Sequence, residues 1–95
     1  MFLICGLGNP GNTYKDTRHN IGFHLADIII SNLNLNKIKE DKFKELYSGE
    51  INNKKLYLLK PLTFMNLSGK AISETVNFYK IKLDNTFVIH DDLDL

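Results

Sequence analysis

An α/β fold with a mixed, mostly parallel twisted sheet and flanking helices, in the order β-α-β-β-α-β, is predicted by three observations. Three short apolar runs, Leu3 to Cys5, Leu56 to Leu59 and Phe87 to Ile89, each stop at a polar cluster, as buried strands do where they leave a sheet. Two other stretches repeat apolar residues at helical spacing. Between those stretches, Asn52-Asn53 joins two loosely alternating segments, and asparagine tolerates the positive φ of a tight hairpin turn.

The elements follow in order. Met1 to Cys5 is continuously apolar and reads as a buried strand ended by Gly6, Gly8, Pro10 and Gly11. After a long loop, Ile21, Leu25, Ile28 and Ile29 recur at i, i+4, i+7 and i+8, which predicts a helix over 21–33 with Asn20 as N-cap. The Asn-rich stretch to Asn36 ends it. Phe43 to Asn52 and Lys54 to Lys60 form the hairpin, and Pro61 stops its second strand by withholding a donor. Ile72, Val76 and Tyr79 predict a second helix over 67–79, capped by Asn66 or Ser68. Thr86 to Ile89 is a β-branched strand. With no helix after it, the sheet is expected to be incomplete at its C-terminal side, leaving an edge and an apolar surface bare. The 95 residues then form the amino-terminal portion of a longer single domain, or another chain supplies the cover.

Composition narrows the class. A chain of 95 residues holds one small domain, with 43% apolar and 24% charged residues in the ordinary globular range. The net charge of +1 does not advertise a polyanion partner and does not forbid one. Lysines 37, 39, 42 and 44 are diluted by Glu40, Asp41 and Glu45, so they read as a solvated face. The single Cys5 excludes an internal disulfide, and its apolar run favours a buried thiol over a nucleophile. No segment approaches the length of a signal or membrane span, so a cytoplasmic protein is expected.

If the three apolar runs are neighbouring parallel strands, their carboxyl ends lie side by side, where ligands of open α/β sheets bind. The polar clusters after those ends carry the candidate chemistry. Gly6-Leu7-Gly8-Asn9-Pro10-Gly11 matches a dinucleotide loop only in letters, since Pro10 interrupts it and helical periodicity resumes near Ile21. Its glycines instead allow close backbone approach, and Asn9 presents its amide. His19, just before a helix, is held neutral by the helix dipole and suits a base. His24 and His90 rank lower, as packing or supporting groups. Phe64 and Met65 offer a stacking surface where a polar loop is usual, and Asn66 offers donors. Ser68 lacks a nucleophile elbow. Water is therefore the expected nucleophile, with His19 as general base, Asp91 as its orienter, and Asn9 and Asn66 holding the carbonyl and its oxyanion.

Taken together, these residues resemble bacterial-type peptidyl-tRNA hydrolases. Gly-Leu-Gly-Asn-Pro-Gly at 6–11, Tyr14, Thr-Arg-His-Asn at 17–20 with Gly22, Lys-Pro-Leu-Thr-Phe-Met-Asn-Leu-Ser-Gly-Lys at 60–70 and His-Asp-Asp-Leu-Asp-Leu at 90–95 follow that family's amino-terminal motifs in order and spacing. The resemblance implies cleavage of the ester joining a peptide to the 3′ end of tRNA, without metal or cofactor, by a protein that is a monomer when complete. It assigns His19 as base, Asp91 as its supporting carboxylate and Asn9 as the residue near the substrate's peptide. Tyr14, Phe64 and Asn66 match positions that contact the tRNA 3′ end, and Met65 lines the same groove. The family continues past the position of Leu95 with a glycine-rich loop carrying a His-Asn pair, a lid and basic surface for the acceptor stem.

Two other classes compete on the residues alone. A non-catalytic module would bind tRNA ends or a protein through Tyr14, Phe64 and Met65, and would show binding without turnover. A metal-dependent phosphohydrolase would use Asp91, Asp92 and Asp94 as oxygen ligands, and would lose activity to a chelator.

Overall fold

In the computed structural model, which describes residues 1–7, 21–62 and 65–89, the elements are β1 (Phe2–Gly6), α1 (Ile21–Leu33), β2 (Asn36–Glu40), β3 (Lys44–Ile51), β4 (Lys54–Pro61), α2 (Met65–Tyr79) and β5 (Thr86–Ile89). The sheet order is β2-β3-β4-β1-β5. The three apolar runs are adjacent: β1 lies between β4 and β5 and is parallel to both. The mixed α/β class holds, but the sheet is balanced rather than mostly parallel, since β2·β3 and β3·β4 are antiparallel.

The order also contains one strand more than the sequence predicts. β2 covers the lysine-rich stretch expected to be a solvated face, and all five of its residues are exposed. An exposed edge strand needs no apolar alternation, so its sequence carries no period-2 signal. Its charges and the irregularity between Lys37 and Lys39 suit an edge, because both discourage pairing with another chain. The β2–β3 turn is held by Asp41, whose Oδ1 accepts the Phe43 and Lys44 N–H groups at 2.7 and 3.0 Å. The Phe43 bond foremost holds the Asp41 carboxyl below its ordinary pKa range.

Alternation along the central strands divides the core between the helices. Leu3, Cys5, Tyr57 and Leu59 face one side with Leu46 and Ile81, against which Ala71, Ile72, Val76 and Tyr79 of α2 pack. Phe2, Ile4, Leu56 and Leu58 belong to the other side, with Ala26, Ile29, Ile30 and Leu33 of α1. The predicted α2 stripe is therefore realised, whereas the α1 stripe is rotated. Leu25 and Ile28 are 40% and 53% exposed, and the buried line runs through Gly22, Ala26, Ile29, Ile30 and Leu33. Gly22 and Ala26 let the helix approach so closely that the larger side chains at 25 and 28 are left outside.

Both helices end by the same device, a left-handed residue followed by a buried one. Asn34 and Lys80 have φ of 54° and 57°, and the next N–H groups, on Leu35 and Ile81, reach back to Ile30 and Val76 at 3.0 Å each. Leu35 and Ile81 are then buried on opposite faces of the sheet. The predicted hairpin is also as expected, with Asn52 and Asn53 at φ of 52° and 66° between β3 and β4. A short 3-10 turn over Leu83–Asn85 leads into β5. Among the described residues no helix is long and apolar enough to cross a membrane.

Cys5 is fully buried in β1, and burial pushes its thiol from the ordinary 9.0 up to about 12. The folded chain is thus expected to resist alkylation by iodoacetamide and to react once unfolded in urea, since the thiolate is the nucleophile. Between 9.0 and about 12 the unfolded thiol gives up its proton first, so the unfolded state binds fewer protons and stability falls as pH rises. Comparing urea midpoints of the chain and Cys5→Ala across that range isolates this contribution.

Candidate active site

Parallel pairing brings the carboxyl ends of β4, β1 and β5 to one edge of the sheet. Cys5 is in register with Leu59 on one side and Val88 on the other, and Gly6 with Ile89. The pairing runs past the strands, with Leu7 N–H donating to the Ile89 carbonyl at 2.8 Å. Leu62 N–H likewise donates to the Phe43 carbonyl at 2.7 Å, tying the end of β4 to the β2–β3 turn.

The first turn of α1 is seated directly on these ends. A Cβ at Gly22 would lie 1.8 Å from the Leu7 carbonyl oxygen and 2.8 Å from that of Ile89, so only glycine fits. A Cβ at Gly6 would meet the Gly22 carbonyl oxygen at 2.6 Å and the Ala26 Cβ at 2.9 Å. One turn further along α1, Asp27 Oδ1 accepts from Lys60 Nζ at 2.7 Å, and that ammonium also sits 5.3 Å from the centre of the Phe23 ring. The Lys60 side chain is only 13% exposed, so the pair clamps α1 to the end of β4.

Asn9, Tyr14, His19, Phe64 and Asp91 lie outside the described residues, as do His90, Asp92 and Asp94. Met65 and Asn66 lie in the first turn of α2, and their side chains are outside the description. Asn66 and Ser68 are therefore helical residues and not the N-caps expected, because the helix begins two residues early. His24 is exposed on α1, so of the two expected roles, packing or support, the packing one does not hold. The seat of Gly22 on the strand ends and the pairing of Lys60 with Asp27 were not legible in the chain. The i, i+4 spacing of Phe23 and Asp27 was the available signal, but nothing local names Lys60 as their partner.

The opposite end of the parallel strands offers less chemistry. A cleft of about 350 Å³ there is lined by Phe2, Ile4, Ile51, Leu56 and Phe87 with Lys54 and Asn52 at its margin. Tyr47 lies toward the antiparallel half, its hydroxyl donating to Glu45 Oε1 at 2.7 Å. Burial first, and then that bond, raises its phenol above the ordinary range.

Comparison with known proteins agrees with the architecture. The family model described as peptidyl-tRNA hydrolase matches residues 3–95. Curated relatives named peptidyl-tRNA hydrolase include those of Clostridium novyi (strain NT), 53% identical over 96 residues, and Clostridium beijerinckii, 54% identical over 96 residues. Each match takes in 100% of this chain and 50% of the relative, so the chain spans about half their length. The crystal structure of peptidyl-tRNA hydrolase from Acinetobacter baumannii superposes with a TM-score of 0.88 at 34% identity, covering 100% of this chain and 49% of that one.

Proposed function

Because the chain belongs to the peptidyl-tRNA hydrolase family, we propose that it contributes the water-activating side of an esterase that cleaves the bond between a peptide and the 3′ end of tRNA. The observation that carries this reading is the side-by-side arrangement of β4, β1 and β5, whose carboxyl ends lead directly into the three polar motifs.

In this reading His19 takes a proton from water as it attacks the ester carbonyl, and Asp91 holds the imidazole in the tautomer that accepts that proton. Amide donors from Asn9 and Asn66 face the carbonyl oxygen as it becomes an oxyanion. Collapse of the tetrahedral intermediate breaks the bond to the ribose oxygen, and the imidazolium returns its proton to that leaving group. Tyr14, Phe64 and Met65 supply the surface on which the tRNA 3′ end lies. The mechanism uses no metal or cofactor.

The 95 residues are, in the same reading, the amino-terminal portion of one α/β domain that works as a cytoplasmic monomer. Two facts support the amino-terminal placement: the match to half of each relative, and the exposure of Phe87 and Val88, at 52% and 44%, on β5 at one end of the sheet order. The test is incubation of N-acetyl-aminoacyl-tRNA with the product of the gene that encodes these residues. Release of free tRNA and the N-acetyl-amino acid, undiminished by chelator, is expected. Binding of tRNA without release would overturn the hydrolase in favour of a binding module.

A further inference from the structure

We propose that Lys42 and Phe43, in the turn between β2 and β3, form a docking point for single-stranded RNA, with a nucleobase stacked on the Phe43 ring and the Lys42 ammonium on a phosphate. That the RNA is the 3′ end of tRNA rests on the function proposed above; the docking point itself stands on this turn.

The turn is fixed before any ligand arrives. Phe43 N–H donates to Asp41 Oδ1 at 2.7 Å and Lys44 N–H to the same oxygen at 3.0 Å, while Asp41 N–H donates to the Lys44 carbonyl at 3.0 Å. The Phe43 carbonyl accepts the Leu62 N–H at 2.7 Å, so both backbone groups of Phe43 are engaged. Leu62 directly follows β4, which places the turn beside the carboxyl end of that strand, at the end of the sheet where β4, β1 and β5 all finish. An aromatic ring carried on such a backbone loses little further conformational freedom when it binds.

Among the described residues five lysine ammoniums lie between 5.3 and 5.8 Å from the centre of an aromatic ring, and one pair differs from the rest. Tyr47, Phe2, Tyr57 and Phe23 are buried or half-buried. Phe43 is 54% exposed, with Lys42 Nζ 5.3 Å from its ring centre. Lys42 makes no ion pair among the described residues, and the carboxylates beside it in the chain are already engaged: Glu40 accepts from Lys37 at 2.9 Å and Asp41 from two N–H groups. Lys39 and Lys44 add positive charge around Asp41, although Lys44 also reaches Glu74 at 3.9 Å. An exposed ring beside an uncommitted cation suits single-stranded nucleic acid, in which every base has a face to stack and every link carries a negative charge. A peptide lacks that alternation of flat ring and charge.

The test measures Kd for deacylated tRNA and steady-state cleavage of N-acetyl-aminoacyl-tRNA, using the product of the gene that encodes these residues. Phe43→Ala is expected to raise Kd and KM by about 5 to 100-fold with kcat nearly unchanged, and Phe43→Tyr to leave all three near their original values. Lys42→Ala is expected to reduce the slope of log Kd against log salt by about 0.7, the share of one phosphate contact. Lys54→Ala is the control, because it removes the same charge from a lysine–ring pair at the opposite end of the parallel strands. Its Kd is expected to stay within about twofold, since salt screens charges that far from the RNA. Equal losses in Lys42→Ala and Lys54→Ala would show diffuse attraction and overturn the docking point. An unchanged tRNA Kd in Phe43→Ala would overturn it too, and a KM raised only for substrates with longer peptides would give the pair to the peptide instead. Either result leaves the hydrolase reading intact where cleavage persists. Binding of tRNA that depends on Phe43, without cleavage, would overturn that reading and keep the docking point.

Discussion

Replacing His19 with alanine is expected to lower kcat/KM for N-acetyl-aminoacyl-tRNA by about 10² to 10⁴-fold, the contribution of a well-placed general base. Binding of uncleaved tRNA should change little, because the stacking surface assigned to Tyr14, Phe64 and Met65 is untouched. The pH profile separates this role from a structural one. A base must be neutral to act, so the rate rises with pH through the His19 pKa. Asp91→Asn removes a negative charge that favours the imidazolium, so the His19 pKa falls and the acidic limb moves to lower pH, while the plateau rate drops. A His19→Ala protein that keeps near-full rate would sink the assignment.

Leu58→Ala is expected to destabilise the folded chain by about 2–5 kcal/mol, a large share of the roughly 5–15 kcal/mol typical of a domain. Leu58 is 0% exposed, pairs with Ile4 and Tyr47 in the strands on either side, and packs with Ala26, Leu35 and Leu56 under α1. Truncation there leaves a cavity between the sheet and the helix. Phe78→Ala makes the contrast: that ring is 77% exposed, so a change within about 1 kcal/mol is expected despite the larger side chain. Urea denaturation of both variants measures the difference. Equal costs would show that Leu58 is not in the principal core.

Several elements were legible because their signals are local. The β3–β4 hairpin follows from two asparagines able to take positive φ, and α2 from the spacing of Ile72, Val76 and Tyr79. Cys5 was expected to be buried on the strength of its neighbours, and it is. Three readings differed. β2 is an exposed edge without alternation, the buried line of α1 is set by two small residues, and α2 begins before the side chains expected to cap it. For β2 and α1 the deciding contact comes from elsewhere in the chain: pairing with β3, and the close seat of Gly22 on Leu7 and Ile89.

The sequence alone determined which chemical groups are available, the type and approximate span of the other elements, and the family to which they belong. Those properties depend on residue identity and short-range spacing, both readable along one dimension. Tertiary structure decided that β1 lies between β4 and β5, that α1 turns Gly22 and Ala26 toward the sheet, and that Lys60 meets Asp27 at 2.7 Å across 33 positions. Such pairings arise from close packing between distant segments, where a single absent methyl group determines how near two backbones can come. No periodicity announces them.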